Sequence, residues 1–459
     1  MRHDLTRGRV STTLLKLALP IMATSFLQMA YNLTDMFWIG KIGANAVAAV
    51  GTAGFFIWFS FAIILLSKIG AEVLVAQNLG SGNQETAERV AGNAVKMASV
   101  NGAIFGVILI AFRTYLIQYF HLGDPEVEGQ AMTYLAVIAA FMPVSFLPPV
   151  FTGILNGSGN SRTPFIINTV GLVANMILDP LLIFGIGPFR GMGVLGAALA
   201  TVSAQGFVVA CFLLYFAKRN SFLQPFFYLG KWDAQVIQDI LKLGFPVSAQ
   251  SGIFTLIAMV LARLIAQWGP TPIAVQKVGS QIESISWMTA SGFQAAISAF
   301  TGQNAGAQQI NRVKAGIRSA LRMMFGIGIF ATTMLFFFSE PIFSVFLSEP
   351  EAVAFGIDYL KILAFSQVFM CLEITTAGAF NGLGRTLPPA IIGIGGNALR
   401  IPLAMGLMTV LGLNGIWWAI CISSILKGIV MVGWYGKNES KMMREIFERF
   451  SVKQGTEMV

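Results

Sequence analysis

Four oxygen-bearing side chains lie at similar depths in three apolar segments of the sequence. Asp35 is about five residues from the end of the first segment, Asp179 about seven from the end of the fifth, and Thr201 about nine into the sixth. At 1.5 Å per helical residue these depths are about 8, 10 and 14 Å. Asn175 precedes Asp179 by one helical turn and shares its face. We therefore expect the four side chains to converge in one layer near the outer side of a membrane.

Such a cluster can bind a proton or a sodium ion. Two carboxylates in a low-dielectric layer cannot both stay ionised without cost, so they compete for one proton and titrate as a coupled pair. Two carboxylates, an amide and a hydroxyl also form an oxygen cage that suits Na⁺. The residue types leave both ions open, and we favour the proton. No cofactor and no His/Cys metal centre is expected, because the two histidines and three cysteines lack metal-ligand spacing.

The chain that holds these residues is strongly apolar. Of its 459 residues, 55 % are hydrophobic and 11 % are charged, and the mean hydropathy is +0.72. An ordinary soluble domain has about 25 % charged residues. The composition excludes a soluble enzyme and a disordered chain, and the long continuous apolar runs predict an all-α polytopic membrane protein.

The sequence predicts twelve membrane-spanning helices, each of about 20 apolar residues or more. They lie at residues 14–40, 46–77, 90–119, 126–155, 161–186, 192–217, 240–268, 272–302, 313–338, 352–380, 386–411 and 414–436. Basic residues concentrate in the N-terminus, every second loop and the C-terminal tail, whereas the opposite loops hold only Lys41 and Arg190. The positive-inside rule therefore predicts cytoplasmic termini in the cell (inner) membrane. The net charge of +9 follows from this asymmetry and does not indicate nucleic-acid binding.

The second half of the chain repeats landmarks of the first. The matched pairs are KLALP at 16–20 and KLGFP at 242–246, QNLG at 77–80 and QNAG at 303–306, GILNGSG at 153–159 and GAFNGLG at 378–384, and 175–180 and 397–402. The offset stays between 222 and 226 residues, which indicates a duplication. Because six spans return the chain to its starting side, the halves are predicted to be parallel repeats, two pseudo-symmetric six-helix bundles that work by alternating access.

The repeat also predicts the domain organisation. The first lobe spans residues 1–217, a cytoplasmic linker 218–239, the second lobe 240–437 and a cytoplasmic helical tail 438–459. At the repeat offsets, Asp35 corresponds to Leu261 and Asp179 to Ile401. The second lobe lacks these acids, so the ion site is expected in the first lobe only.

Further charged residues of the second lobe are secondary candidates. Glu283 lies in the middle of a span and is expected to meet Arg263 or Lys277, while Glu373 and Arg400 lie in the tenth and eleventh spans. These residues either form a structural ion pair within the lobe, or Glu283 attracts a cationic substrate.

Pro20 removes one helical hydrogen bond from the span that contains Asp35, and this allows a kink. A kink can couple protonation of Asp35 to the shape of the cavity. A static bend is the alternative, since Pro246 occupies the matching position without an acid.

Several of these landmarks resemble the multidrug and toxic compound extrusion (MATE) family over roughly residues 10–440. The resemblance rests on Pro20, the YNLTD run at 31–35 followed by Gly40, AAVG at 48–51, the paired QN(L/A)G sequences and the NG-x-G turns. It implies twelve helices in two six-helix lobes, and export of organic cations and drugs driven by H⁺ or Na⁺.

The DinF-like branch of that family implies specific roles. Its first-lobe cation or proton site corresponds to Asp35, Asn175, Asp179 and Thr201, and its helix 1 proline and nearby polar residues correspond to Pro20, Gln28, Tyr31 and Tyr134. The NorM-like branch places acids of helices 7 and 10 in the second lobe. The matching positions here hold Phe254 and Met370, a departure that argues against a sodium site of that type.

We expect a secondary-active exporter rather than an enzyme, since no catalytic constellation lies at membrane depth. Its partners are expected to be small organic cations or drugs and the lipid bilayer, and the protein is expected to be a monomer. The alternative is a flippase for lipid-linked oligosaccharide or another lipid. A flippase cavity would need basic residues in both lobes to hold a pyrophosphate, whereas the first lobe presents acids.

Overall fold

The structure is a computed structural model that describes residues 4–185, 190–217, 232–346 and 349–456, with the backbone alone at 270, 447 and 449–456. Within these residues all regular structure is helical, which confirms the all-α prediction. A backbone in lipid has no water to bind, so a helix that satisfies its own N–H and C=O groups is the stable solution for an apolar segment.

The helices follow the predicted spans closely. The first half contains α1 Val10–Ile42, α2 Ala44–Gly80, α3 Gln84–Gln118, α4 Pro125–Ala140, α5 Met142–Ser145, α6 Leu147–Gly157, α7 Arg162–Pro180, a π-helical turn Leu181–Gly185 and α8 Gly193–Ala217. The second half contains α9 Ala234–Ile265, a 3₁₀ turn Ala266–Trp268, α10 Pro270–Gly306, α11 Ile310–Phe337, α12 Ser339–Ser344, α13 Pro350–Ala364, α14 Gln367–Gly382, α15 Leu387–Ala398, α16 Arg400–Leu411 and α17 Leu413–Thr456.

Most of these helices are long and apolar enough to cross a membrane. Among the described residues nine helical segments meet that description, and two bent pairs raise the number to eleven. The one predicted span not among these eleven is the eighth, 272–302, which is α10. This helix has 37 residues, but its serine, threonine and glutamine side chains lower its hydropathy. The chain is therefore a multi-pass membrane protein.

Two predicted spans bend at matching places of the repeat. α4 meets the segment Met142–Gly157 at 58°, and α13 meets α14 at 51°. At the first bend Pro143 has no N–H to donate, which breaks the helical ladder. At the second bend the Ser366 hydroxyl and the Gln367 amide donate to the Leu363 carbonyl at 2.8 and 3.2 Å. The Ser366 backbone N–H also donates to this carbonyl, at 3.0 Å, so side chains and backbone together satisfy it at the bend.

The described chain forms two compact units. Unit 1 contains Ala23–Leu79 and Asn83–Ser248, and unit 2 contains Asp4–Met22, Gly80–Gly82 and the chain from Ala249. The lobes predicted from the repeat, 1–217 and 240–437, differ from these units in α1 and α9. The units divide these helices shortly after Pro20 and Pro246.

The division has a packing cause. In α1, Leu14 and Leu17 are buried in the same core of unit 2 as Phe293, whereas in α9 Ile240 is buried in the core of unit 1. Of the predicted linker 218–239, residues 218–231 lie outside the described residues, and α9 already begins at Ala234.

The start of α9 is fixed to α3. Asp233 accepts hydrogen bonds from the backbone N–H groups of Gln235 and Val236 at 3.1 and 3.2 Å, as a helix N-cap does. Arg89 of α3 donates to the same carboxylate. The Arg89 guanidinium and the Val236 N–H hold the pKa of Asp233 below its usual range.

Glycines at matching places allow close helix contacts in both units. A Cβ atom on Gly157 would lie 2.4 Å from the carbonyl oxygen of Glu72, and one on Gly382 would lie 2.3 Å from that of Ser298. The two contacts correspond under the repeat offset, so both halves bring the same two helices together through a glycine, as small residues do in membranes.

We predict that Gly157→Ala and Gly382→Ala destabilise the protein by about 1–3 kcal/mol each, because the added methyl group meets backbone atoms that cannot move independently. Thermal unfolding of the detergent-solubilised protein will show melting temperatures lowered by a few degrees. Gly54→Ala in α2 is the matched control, since nothing lies within 4 Å of its Cβ position. Equal melting temperatures for the three variants would contradict the packing argument.

Candidate functional site

The unit 1 part of α1 presents three polar side chains on one face. Tyr31, Asp35 and Trp38 are spaced by four and three residues, which places them one above another on a helix. The Tyr31 hydroxyl, one Asp35 carboxylate oxygen and the Trp38 indole nitrogen are all fully buried. The Trp38 ring packs edge-to-face against Phe184, 6.1 Å between centroids.

The end of α7 supplies the second acid. The Asn175 side chain donates to Asp179 Oδ1 at 3.2 Å, and both residues have 0 % exposure. α7 ends at Pro180 and continues as the π-helical turn Leu181–Gly185. A π-turn is rare and often marks a functional site.

Two neighbouring helices complete the cluster. Tyr134 of α4 is 4 % exposed and Thr201 of α8 is 8 % exposed. α8 approaches the π-turn closely because it has a glycine there, and a Cβ atom on Gly196 would lie 2.3 Å from the Leu182 carbonyl oxygen. Small residues thus bring Thr201 to the depth of Asp179.

The predicted residues meet in this layer. Asp35 and Asp179 are close enough to repel each other when both are charged. The Tyr31 and Tyr134 hydroxyls lie within electrostatic range of both acids and near the Thr201 hydroxyl. The convergence that the sequence suggested for Asp35, Asn175, Asp179 and Thr201 is therefore present, with Tyr31 and Tyr134 at its edge.

The cluster contains several buried polar atoms without a hydrogen-bond partner among the described residues. They are Tyr31 Oη, Asp35 Oδ1, Trp38 Nε1, Asn175 Oδ1, Asp179 Oδ2 and Thr201 Oγ1. Buried polar groups in proteins are nearly always paired. Most of these atoms are acceptors, so a proton or a small cation bound among them would satisfy several at once.

Two other candidates on α1 lie apart from this cluster. Gln28 is exposed on α1, two turns before Asp35. Pro20 lies inside α1, which runs through it as one continuous helix. The sequence analysis missed Trp38, since an uncharged side chain in an apolar span gives little signal. The spacing of Trp38 three residues after Asp35 could have revealed it.

The charged residues of unit 2 do not pair as expected. The predicted partnership of Glu283 with Arg263 or Lys277 was wrong: Glu283 accepts from Gln367 at 3.1 Å instead, because α14 packs against α10 and brings this amide to it. Arg263 is exposed. The expected structural ion pair does exist at Glu373, but its partner, at 3.1 Å, is Lys427 of α17.

Comparisons with known proteins agree with this architecture. The profile of the MatE family matches residues 20–181 and 246–405, once in each half of the repeat. A Thermotoga maritima protein named "Probable multidrug resistance protein NorM" is 31 % identical over 448 residues, covering 96 % of this chain and 95 % of the relative. A Shewanella oneidensis protein named "FAD transporter" is 27 % identical, covering 93 % and 95 %.

Solved structures share the fold. One described as the outward-facing conformation of a multidrug resistance MATE family transporter superimposes with a TM-score of 0.89 at 22 % identity, covering 96 % of this chain and 98 % of the other. The Vibrio cholerae MATE transporter VcmN, in a mutant form, gives 0.87 at 21 % identity, covering 95 % and 98 %. The twelve-helix fold with two pseudo-symmetric bundles is thus confirmed.

We predict that the intrinsic fluorescence of Trp38 reports the occupancy of the cluster. A change of charge at Asp35, one helical turn away, alters the field at the indole ring. Lowering the pH or adding Na⁺ to the purified protein should therefore change the tryptophan emission, and Trp38→Phe and Asp35→Asn should each remove that change. The control is Trp58→Phe, because Trp58 of α2 is 67 % exposed. A full response in Trp38→Phe would contradict the placement.

Proposed function

The chain belongs to the MatE family of membrane transporters, and from this premise we propose that it is a secondary-active exporter that exchanges organic cations or drugs for protons. The cation site is the unit 1 cluster around Asp35 and Asp179. The single observation that supports this most is the set of buried, unpartnered oxygen atoms in a layer that contains two acids.

The chemistry of exchange follows from the charge of the acid pair. With one proton bound, Asp35 and Asp179 share a single negative charge, and their repulsion is relieved. When the proton leaves, the layer becomes more negative and attracts an organic cation. The two cations thus compete for the same negative charge, which couples their movements in opposite directions. Alternating access, as in transporters built from repeats, would expose the layer to each side in turn.

Sodium is the second candidate for the coupling ion. Asp35, Asp179, Asn175 and Thr201 offer carboxylate, amide and hydroxyl oxygens, which are hard ligands suited to Na⁺. The free oxygen atoms of Asn175 and Thr201 fit a cation as well as they fit a proton network. We favour the proton, because two adjacent carboxylates hold it without any further ligand.

The environment of the protein belongs to the same proposal. We infer that the chain lies in the cytoplasmic (inner) membrane with both termini inside, since the basic residues of the loops concentrate on that side. We also propose that it acts as a monomer and needs no cofactor. A lipid flippase is disfavoured because the buried charges of the unit 1 cluster are acids.

The test is proton-coupled export in everted membrane vesicles with an acidified lumen and a pH-sensitive dye. In wild-type vesicles, adding ethidium without sodium should restore the signal of the pH-sensitive dye, because exchange for ethidium removes protons from the lumen. Asp35→Asn and Asp179→Asn should each reduce the recovery by about tenfold or more, as loss of a charged partner does. The control is Asp239→Asn, which alters a partly exposed acid of unit 1 that pairs with Lys242 at 3.5 Å.

Other outcomes have defined meanings. Recovery only when sodium is present would replace the proton by Na⁺ at the same residues. No recovery with either ion, when the protein is shown to be inserted, would contradict drug export and favour the flippase. Equal loss in Asp239→Asn would show that the effect is not specific to the cluster.

A further inference from the structure

A glutamate in the last third of α2 is buried without a partner. Glu72 is 2 % exposed, and its Oε1 atom is fully buried with no hydrogen-bond partner among the described residues. Within the same part of the chain no basic side chain forms an ion pair with it. An unpaired buried carboxylate is costly, and such a group takes up a proton instead. Glu72 therefore has the properties of a proton-binding group.

Two glycines of α6 pack directly on this stretch of α2. A Cβ atom on Gly157 would lie 2.4 Å from the Glu72 carbonyl oxygen, and one on Gly153 would lie 3.7 Å from Glu72 Cβ. The Gly153 position is also 3.0 Å from Cγ of Lys68. Because Lys68 precedes Glu72 by one helical turn, the two side chains share one face of α2. Both therefore lie at the contact with α6.

Unit 2 makes the same contact between α10 and α14 with neutral side chains. A Cβ atom on Gly378 would lie 2.4 Å from the carbonyl oxygen of Gln294, and one on Gly382 would lie 2.3 Å from that of Ser298. The helices of unit 2 thus approach as closely as those of unit 1, although neither residue of α10 is charged.

The repeat identifies the charges as a difference between the two contacts. At the offset of 226 residues that relates QNLG to QNAG, Lys68 corresponds to Gln294 and Glu72 to Ser298. Since neutral residues suffice for the contact in unit 2, packing does not require the acid in unit 1. Burial of the acid costs free energy, so its presence indicates a role other than packing.

The groups around the acid leave it free to exchange a proton. The unit 1 part of α9 also contacts this stretch, since a Cβ atom on Gly70 would lie 2.4 Å from the Ile240 carbonyl oxygen. The charged residues beside that contact, Asp239 and Lys242, pair with each other at 3.5 Å. Lys68 is half-buried and is not in an ion pair with the acid, so it can stabilise the carboxylate once a proton has left.

Glu72 and Asp35 lie near opposite ends of their spans. The predicted span 46–77 ends five residues after Glu72, which is about 8 Å at 1.5 Å per residue. In the proposed orientation this end is cytoplasmic, whereas Asp35 is near the outer end of the first span. A proton that enters at the cluster around Asp35 has to leave unit 1 on the side where Glu72 lies.

We propose that Glu72 is a second proton-binding group of unit 1, from which the transported proton is released to the cytoplasm. The proton leaves the carboxylic acid for water at the inner end of α2, and Lys68 stabilises the carboxylate that remains. The proposal rests on the proposed function for the direction of proton movement, and it adds a release site distinct from the cluster around Asp35.

The test compares two modes of ethidium movement in proteoliposomes. In the first, a proton gradient drives export. In the second, radiolabelled ethidium on one side exchanges for unlabelled ethidium on the other at equal pH, which needs no net release of protons. Glu72→Gln should slow proton-driven export about tenfold or more, because a positioned acid–base group typically speeds proton transfer by more than that. It should leave the ethidium exchange unchanged, whereas a merely structural role would lower both modes.

Two further variants separate proton release from folding. Glu72→Ser gives unit 1 the residue type that unit 2 has at the same contact, so it serves as the test if Glu72→Gln does not fold, and it should show the same difference between the two modes. The matched control is Glu85→Gln, which alters an exposed acid in the first turn of α3 and should change neither mode.

Infrared spectroscopy tests the bound proton without any transport. The C=O stretching band of a carboxylic acid is absent from a carboxylate, and exposed carboxyl groups are ionised at neutral pH. The wild-type protein at neutral pH should therefore show this band from buried acids only. Glu72→Gln should reduce its intensity, and Glu85→Gln should leave it unchanged.

Several results would overturn the proposal. They are equal loss of export and exchange in the folded Glu72 variants, full proton-driven export in Glu72→Gln, or an infrared band that Glu72→Gln leaves unchanged. Failure of the proposed function looks different, because the wild type itself would then show no proton-driven export. In that case the release step falls with it, and the infrared band alone decides whether Glu72 holds a proton.

Discussion

A polar group inside an apolar layer has no water to bind, and this constraint governs every part of the structure. It explains why all regular structure among the described residues is helical. At the bend between α13 and α14, the side chains of Ser366 and Gln367 add hydrogen bonds to the Leu363 carbonyl, which also accepts from the Ser366 backbone N–H. Lys427 and Glu373 satisfy the constraint by pairing. The unit 1 cluster does not satisfy it, and that is why the cluster is the candidate for a bound ion.

The sequence predicts much of this architecture, because charge and hydropathy are strong signals in a membrane protein. The spans were located by apolar runs, and the acids at Asp35 and Asp179 stood out because a charge in a span is costly. The depth argument brought Thr201 to the same layer, and the structure has it there. The duplication was visible because its landmarks are glycine, asparagine and proline residues. Few other residue types can take their places in a turn or a close helix contact.

Other features were beyond the sequence for physical reasons. Trp38 is an ordinary residue in a span, and only its buried indole nitrogen without a hydrogen-bond partner among the described residues distinguishes it. The partner of Glu283 depends on how α10 packs against α14, and a linear pattern does not specify which of several polar residues comes within reach. The division of α1 and α9 between the units depends in the same way on tertiary packing, which overrides the continuity of a helix.

The membership of residues 4–22 in unit 2 has a consequence for biosynthesis. The first turns of α1 are synthesised more than 220 residues before the part of unit 2 that begins at Ala249. At about 5–20 residues per second, this part of α1 stays without its partners for on the order of ten seconds or more. During that interval Leu14 and Leu17 depend on lipid or on the insertion machinery for cover. A C-terminal half synthesised alone would lack these turns, so the two halves cannot mature as independent pieces.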